Sequence, residues 1–558
     1  MDLNVLTYKP NYTKNFYTLD ETLQKILQNA LSPAFFRYAD KQLIAFGAHC
    51  AGPIDTRAKH TDREGEPRLL RYNKLGEEIS EVWVNDGYKM TVDETYRTGI
   101  VGYVHKDIPE LGHKGNYVYS FAQGYILSQS EPGFYCPVTL SMATAYLFDH
   151  YADDAVRERF LPHICATGDI ELYEGATFLT ERQGGSDVGA NVVQAVKEDG
   201  SYRLYGEKYF ASNAGMCGVA MVLARMENAP SGSKGLTLFA VPWRRDDGTL
   251  NGITIRRLKD KLGVKAVPSG EVVFDGAEAY VIGDSSKGIY YMLEALNLSR
   301  ICNAAASLGI MQRALQEAYT YTNARTAFNQ KLTDFPAVQD TLMKLAAKQH
   351  AELVTLFDLI QLYDKVSAGK GNERDQLLVR LLIALVKKET AEQAIHFAHE
   401  AIELHGGNGY IEDFVAPRLL RDAQVLTVWE GTANILALEL IRLVKKFSIH
   451  ELFIAAMQQR ICSLPANNLK SVVTQQLRNV QLLFDQFATL DEQAQAFEAK
   501  PIMKKLSSLY ESIVTLEFAA QHGEREQQLA EIFIETEWSL RKLGDEMKTV
   551  TYFKSIFK

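Results

Sequence analysis

"FLTERQGGSDVGANVV", residues 178–193, is where the texture of the chain changes. An apolar segment runs through a glycine pair into a β-rich stretch. Gly184 and Gly185 let the backbone approach another group closely, and Thr180 and Ser186 offer hydroxyls to a polar ligand edge or a phosphate. Taken alone, such a stretch is more often a turn than a ligand loop, so its weight depends on what flanks it.

Upstream, "ETLQKILQNALSPAFFRYADKQLIAFGAHC" (21–50) and "PVTLSMATAYLFDHYADDAVRERFL" (137–161) carry apolar residues at helical spacing. "AGPIDTRAKHTDREGEPRLLRYN" (51–73), polar and rich in breakers, reads as a long loop. Downstream, "SYRLYGEKYFASN", "VAMVLARM", "LTLFAVPW" and "EVVFDGA" are short β-rich runs at hairpin-like intervals. From about 286 the pattern is helical again, with about four long helical stretches up to 447. Beyond 447, amphipathic helix continues with breaks expected at "SLPANN" (463–468) and "AKPIMKK" (499–505). The expected fold is a multidomain α+β protein: an N-terminal helical domain (1–171), a central antiparallel β-barrel-like domain (172–285), a C-terminal four-helix bundle (286–447) and a helical extension (448–558).

Composition narrows the function. At 558 residues, 46% hydrophobic and 23% charged, the chain has the make-up of soluble globular domains. A net charge of -9 gives no reason to expect a polyanionic partner, and acids and bases nearly balance after 447. The six scattered cysteines include no CxxC, so neither a disulfide framework nor a zinc site is expected. The opening "MDLNVLTYKP" has neither the apolar run of a signal peptide nor the Arg/Ser richness of a transit peptide. The longest aliphatic run, "LLIALV" (381–386), is too short to span a bilayer. Together these point to a cytoplasmic protein.

Several other stretches could carry chemistry. "YFASNAG" (209–215) puts Phe210 and Ser212 on one face of a strand, an aromatic plane beside a hydroxyl, though an ordinary half-buried strand reads the same way. "ELHGGNGYIEDFVAPRLLRDAQ" (403–424) holds Gly406, Gly407 and Gly409 after a helix, more glycine than a C-cap requires, which favours a loop touching a ligand backbone. His396, His399, Glu400 and Glu403 share neighbouring helix faces, but no matching Glu-x-x-His occurs elsewhere and no metal is expected. "RRLKDKLGVK" (256–265) is either a phosphate-facing run or a solvated loop. "TVWEGTAN" (427–434) holds one acid, Glu430, beside Trp429. It reads as a helix-end charge or as a base whose proton affinity an apolar neighbour raises. Walker, GxGxxG and GxSxG motifs are absent, so any redox cofactor is held by another fold.

Taken together, these pieces resemble the acyl-CoA dehydrogenase family of flavoproteins over roughly residues 70–447. "LTERQGGSDVG" is similar to the family's first motif, with Phe178 at a position usually small. Glu403, Gly406, Gly407, Gly409, Tyr410, Asp413, Arg418 and Asp422 fit the second. "LLRYNKLGEEISEVWVNDGY", "CPVTLSMATA", "RLKDKLG" and "VWEGTANI" resemble its AidB subgroup, as does the C-terminal extension.

The resemblance implies FAD, with Leu179, Thr180, Gly185 and Ser186 along the flavin and its diphosphate, and Phe210 and Ser212 at the ring. It implies that Arg325, Phe328, Gln339, Gly406 and Gly407 hold the FAD of a neighbouring subunit, and that Thr432 and Asn434 meet the diphosphate. Asn329 stands where relatives usually have Gly, and Pro336 where many have Gln. Glu430 is implied to take the α-proton of an acyl-CoA while the β-hydride passes to flavin N5, giving a trans-2-enoyl-CoA. The alternative base position reads Ser299, which cannot serve; Asn297 and Arg300, with Ser186, are implied contacts for the substrate. An electron-transfer flavoprotein as acceptor and a homotetramer built as a dimer of dimers are also implied. Two rivals stand beside this reading: an AidB-like flavin-containing protein that binds DNA or acyl-CoA with little turnover, and an acyl-CoA oxidase. The near charge balance of the extension disfavours nucleic acid.

Overall fold

The computed structural model describes residues 15–557. The reading of the first ten residues falls outside them. The described chain forms two compact units, one of residues 37–302, the other of the residues up to Phe36 together with Asn303 onward.

Helices α1 (Glu21–Ala30) and α2 (Pro33–His49) open the chain. The stretch expected as a long loop is instead ordered. A π turn (Cys50–Ile54) continues into α3 (Asp55–Arg63), and β1 (Arg68–Tyr72) pairs antiparallel with β2 (Glu78–Trp83). The breakers Gly52 and Pro53 cluster before α3, leaving nine residues free to coil, and Asn73 makes the hairpin turn by accepting from the N–H groups of Leu75 and Glu77. Next come α4 (Asp86–Arg97), a small hairpin of β3 (Asp107–Ile108) and β4 (His113–Lys114), α5 (Tyr117–Leu127), α6 (Pro132–Tyr151) and α7 (Asp154–Ile164).

Seven strands follow: β5 (Glu174–Phe178), β6 (Gln194–Glu198), β7 (Ser201–Ser212), β8 (Cys217–Met226), β9 (Leu236–Pro242), β10 (Ile253–Leu258) and β11 (Ser269–Val281). Strand β11 pairs with β7, β7 with β6, β6 with β8, β8 with β9, and β9 returns to β11, so the sheet closes on itself with β5 and β10 attached outside the ring. Pairing is antiparallel except where β8 runs parallel to β5 and β6. Closure removes edges that would otherwise present unpaired backbone. Bulges at Phe210 of β7 and Gly276 of β11 supply the bend. Strand β9 is buried along its whole length, and α6, buried along most of its own, packs on β5.

In the second half, α8 (Gly288–Ala324), α9 (Pro336–Ser367) and α10 (Glu373–His405) are long, while α11 (Ala416–Leu426) and α12 (Ala433–Phe447) are shorter, so three long helices and two short ones stand where about four long ones were expected. A two-residue hairpin of β12 (Thr326–Ala327) and β13 (Gln330–Lys331) joins α8 to α9. The extension comprises α13 (Ile449–Ser463), α14 (Asn468–Phe487), α15 (Glu492–Gln521), α16 (Glu524–Glu537) and the one-turn helices α17 (Lys548–Thr551) and α18 (Phe553–Ile556), with α15 and α16 packed on α9. The expected break at Pro501 does not occur. Proline inside a helix costs about 3 kcal/mol, and here burial of Ile502, Met503, Leu506, Leu509, Tyr510 and Ile513 offsets it. Among the described residues no helix is long and apolar enough to cross a membrane.

Candidate active site

One group of candidate residues grows out of β5. Leu179 and Thr180 leave that strand, and the Tyr209 N–H donates to the Thr180 carbonyl (2.8 Å), tying the loop to β7. The loop then folds back at Gly184, whose φ is +114° and whose N–H donates to the Glu181 carbonyl (3.0 Å). At Gly185 a Cβ would stand 2.6 Å from Thr180 Oγ1, so any side chain there would displace the Thr180 hydroxyl. Ser186 is exposed.

Two residues given no role from sequence hold this loop. Glu181, 2% exposed, pairs with the fully buried Lys208 at 2.7 Å and accepts from the Val192 N–H (2.7 Å). Lys208 also donates to the Leu179 carbonyl at 3.3 Å. Burial pushes the Lys208 ammonium down to about 8, against the pull of Glu181. One signal for this pair was available: Leu204 and Lys208 lie four residues apart on β7 and so share its buried face.

At the other end of β7, Tyr209 pairs with Glu271 and Ala211 with Gly270, leaving Phe210 as the extra residue of a bulge. Its φ is +58°, uncommon for a bulky side chain, and its ring is 57% exposed. Ala211 is buried between Phe210 and the half-buried Ser212. On α8, Asn297 accepts from Arg300 Nη1 (3.1 Å), and Ser299 is buried.

A second group of candidate residues belongs to the other unit. Helix α10 ends at Gly406 with φ +60°, and the following turn reaches Tyr410. Gly409 packs so closely that a Cβ would meet the Ile402 carbonyl at 2.4 Å. Tyr321 Oη joins two candidate regions, accepting from Asn408 Nδ2 (2.9 Å) and Arg325 Nη1 (3.3 Å), while its ring stacks on His405. Arg325 is thereby brought to the Gly406–Gly407 turn. Phe328 and Asn329 form the hairpin tip with φ of +52° and +64°, and Phe328 is 91% exposed. Gln339 Nε2 donates to the Thr333 carbonyl (2.9 Å), while its Oε1 is buried without a hydrogen-bond partner among the described residues.

Glu430 sits in the turn between α11 and α12 at φ +62°, followed by Gly431 at +101°. Its Oε2 is shielded from solvent. The buried Lys387 on α10 donates to the Gly431 carbonyl at 2.8 Å, and Asn303 Nδ2 donates to the Leu426 carbonyl at 3.2 Å, so both ends of the turn are held by other helices. No side chain caps α12: Thr432 stands at the cap position, Asn434 lies in the first turn, and both are exposed. An open helix N-terminus offers N–H groups to an anion.

Within each unit the features suit a group such as FAD: a close backbone approach at Gly185 and an exposed Phe210 in one, an unsatisfied acceptor at Gln339 and an uncapped helix start in the other. A metal fits less well. Glu352, Glu389 and Glu511 bring carboxylate oxygens within 4.8 Å of one another, but Lys348 Nζ stands 2.9, 3.1 and 2.7 Å from them, where a cation would sit.

Comparison with known proteins agrees. The middle and C-terminal domains of acyl-CoA dehydrogenases match residues 176–277 and 286–444, and the N-terminal domain of the adaptive response protein AidB matches 8–168. The chain belongs to the acyl-CoA dehydrogenase family, the FAD-dependent oxidoreductases that act on the CH–CH bond of acyl-CoA. Within it the chain is AidB-like. It is 30% identical to acyl-CoA dehydrogenase family member 11 of Caenorhabditis elegans over 81% of this chain and 74% of that protein. It is 30% identical to the putative acyl-CoA dehydrogenase AidB of Escherichia coli over 68% of this chain and 69% of that one. The crystal structure of Caenorhabditis elegans ACDH-11 in complex with C11-CoA superposes with a TM-score of 0.87 at 26% identity, covering 99% of this chain and 95% of that one.

Proposed function

We propose that Glu430 is the base that removes the α-proton of a bound acyl-CoA, giving a trans-2-enoyl-CoA. The observation that carries this is its backbone. A glutamate at φ +62° is strained, and such strain persists where surrounding structure imposes it, most often at functional sites. Here Lys387 holds the adjoining Gly431 carbonyl, which fixes where the carboxylate starts. Ser299, at the alternative base position, carries a hydroxyl too weakly basic for the task.

In this reading Leu179, Thr180, Gly185, Ser186, Phe210 and Ser212, in the 172–285 segment, line the flavin. Arg325, Phe328, Gln339, Gly406 and Gly407, in the 286–447 segment, hold the FAD of a neighbouring subunit, and Thr432 and Asn434 meet the diphosphate. FAD, when bound, takes up the β-hydride. Glu430 holds the abstracted proton, and the backbone N–H groups around it are suited to the developing thioester oxyanion. Asn297 and Arg300, joined on one turn of α8, with Ser186, are assigned to the CoA side. The assembly proposed is a homotetramer with electron-transfer flavoprotein as acceptor, in the cytoplasm. The C11-CoA held by the worm protein supports an acyl chain of medium length or more.

Anaerobic titration with acyl-CoAs from C4 to C18, followed by flavin absorbance, tests this. The native protein should bleach, and Glu430→Gln should keep its flavin and lose bleaching by at least about 100-fold in rate. Retained bleaching in the variant would overturn the assignment of the base. The AidB-type N-terminal match favours a second reading, a flavin-containing binding protein with little turnover. Tight acyl-CoA binding without bleaching, or salt-sensitive duplex DNA binding, would select it. Peroxide formation without added acceptor would select an oxidase.

A further inference from the structure

A cavity of about 220 Å³ opens in the unit that carries Glu430, between α1, α8, α9 and the last residues of the chain. None of the residues assigned to FAD or acyl-CoA lines it. Its wall is apolar at Leu315, Leu353, Ile556 and Phe557, with Phe557 stacked on Tyr319 at 4.5 Å between ring centroids.

Set in this wall are two nitrogens with no hydrogen-bond partner among the described residues, His350 Nε2 and Gln316 Nε2. A buried polar nitrogen left unpaired is costly, and where one faces a cavity a bound molecule can satisfy it. His350 is 3% exposed, and its Nδ1 lies 3.1 Å from Thr22 Oγ1 on α1. The Thr22 hydroxyl is best satisfied by donating to Nδ1, which assigns the ring proton to Nε2. Burial, with the nearby Arg525 charge, keeps this imidazole neutral, its pKa pushed down to about 3. The wall thus presents two neutral N–H donors beside the Arg525 guanidinium, which also lines the cavity. Its acids are already engaged: Asp20 accepts from the Leu23 N–H, and Glu21 lies 3.8 Å from Arg525. These donors ask for an acceptor oxygen, and the apolar side of the wall, at Leu315, Leu353, Ile556 and Phe557, asks for hydrocarbon. An engineered cavity of about 150 Å³ holds a benzene, so this one suits a chain of about eight carbons.

We propose that this cavity is a second binding site, separate from the Glu430 site, for a free acyl chain of medium length whose head is a carbonyl oxygen, as carboxylate or carboxamide. The test uses the full-length, FAD-loaded protein with ¹⁵N-labelled histidine, titrated with octanoate and with octanamide. Equilibrium dialysis counts the molecules bound per chain. The expected result is a saturable shift of the His350 ring nitrogen, identified by its loss in His350→Phe. Leu353→Trp, which fills the cavity, should remove one bound molecule per chain. Because Leu353 is fully buried, Gln316→Leu at a half-exposed residue is measured alongside and should weaken binding about tenfold. Glu430→Gln should leave this site unchanged. Binding of octanoate alone assigns an acid, of octanamide alone a neutral amide, and of both a shared carbonyl head; each supports the site. The proposal is overturned if neither compound moves the His350 resonance, or if stoichiometry and affinity are the same in both cavity variants.

Discussion

Single residues in this protein carry electrostatic loads that a reading of neighbours in sequence does not expose. Glu174, at the start of β5, is 5% exposed and accepts from Tyr96 Oη at 3.1 Å. Burial pushes its carboxyl up to about 7 from an ordinary value of 4.5. Between those two values the unfolded chain gives up the proton while the folded chain keeps it. Stability therefore falls as pH rises through that window, by about 3 kcal/mol in all, and the loss is complete above pH 7. Glu174→Gln should remove this slope, as seen by denaturant unfolding at pH 5 and pH 8. An unchanged slope in the variant would assign the effect to other groups. Glu174, Lys208 and Lys387 share one trait that explains why sequence missed them. Each is a charged side chain whose partner lies on another element: Lys208 meets Glu181 across 27 positions and Lys387 meets Gly431 across 44. Periodicity marks a face as buried but does not name what faces it.

At the level of elements, most of the architecture was legible. Helical and strand periods differ, so the switch near 172 and the return near 286 could be read directly. Closure of the sheet could not, since it depends on β9 meeting both β8 and β11. Nor could the survival of α15 through Pro501, which is decided by tertiary burial. The departure at Asn329 now has a physical account. A two-residue hairpin between Ala327 and Gln330 needs positive φ at both tip positions, and after glycine, asparagine tolerates that best. Asn329→Gly should leave thermal stability unchanged or slightly raised. Asn329→Val should lower it by about 1–2 kcal/mol, the cost of a left-handed conformation with a branched side chain. Equal melting temperatures for the two variants would contradict this account of the tip.

On the scale of the whole molecule, the extension is joined to the bundle by charge as well as by apolar packing. Lys348 of α9 and Lys504 of α15 face four carboxyls, Glu352, Glu389, Glu511 and Glu537, drawn from α9, α10, α15 and α16. With two ammonium groups for four acids, burial pushes Glu352 up to about 7 and Glu511 up to about 8, while the lysines hold Glu389 well below the usual range. Lys348→Met should cost about 3–5 kcal/mol near pH 8, where the carboxylates it compensates must either stay charged or take up protons against a high pH. Near pH 5 they can take up protons, and the cost should shrink. Urea unfolding at the two pH values checks this, and a pH-independent loss would mean that lost packing dominates.

With Glu430 as the proposed base, its backbone sets stability against activity for any evolving population of this chain. In the left-handed conformation that position occupies, glycine or asparagine relieves strain that glutamate bears, by about 0.5–1 kcal/mol. A library randomised at 430 and sorted for resistance to heat should enrich those two residues, whereas one sorted for turnover should return glutamate alone. The same codon would then be scored as a defect by one screen and as indispensable by the other.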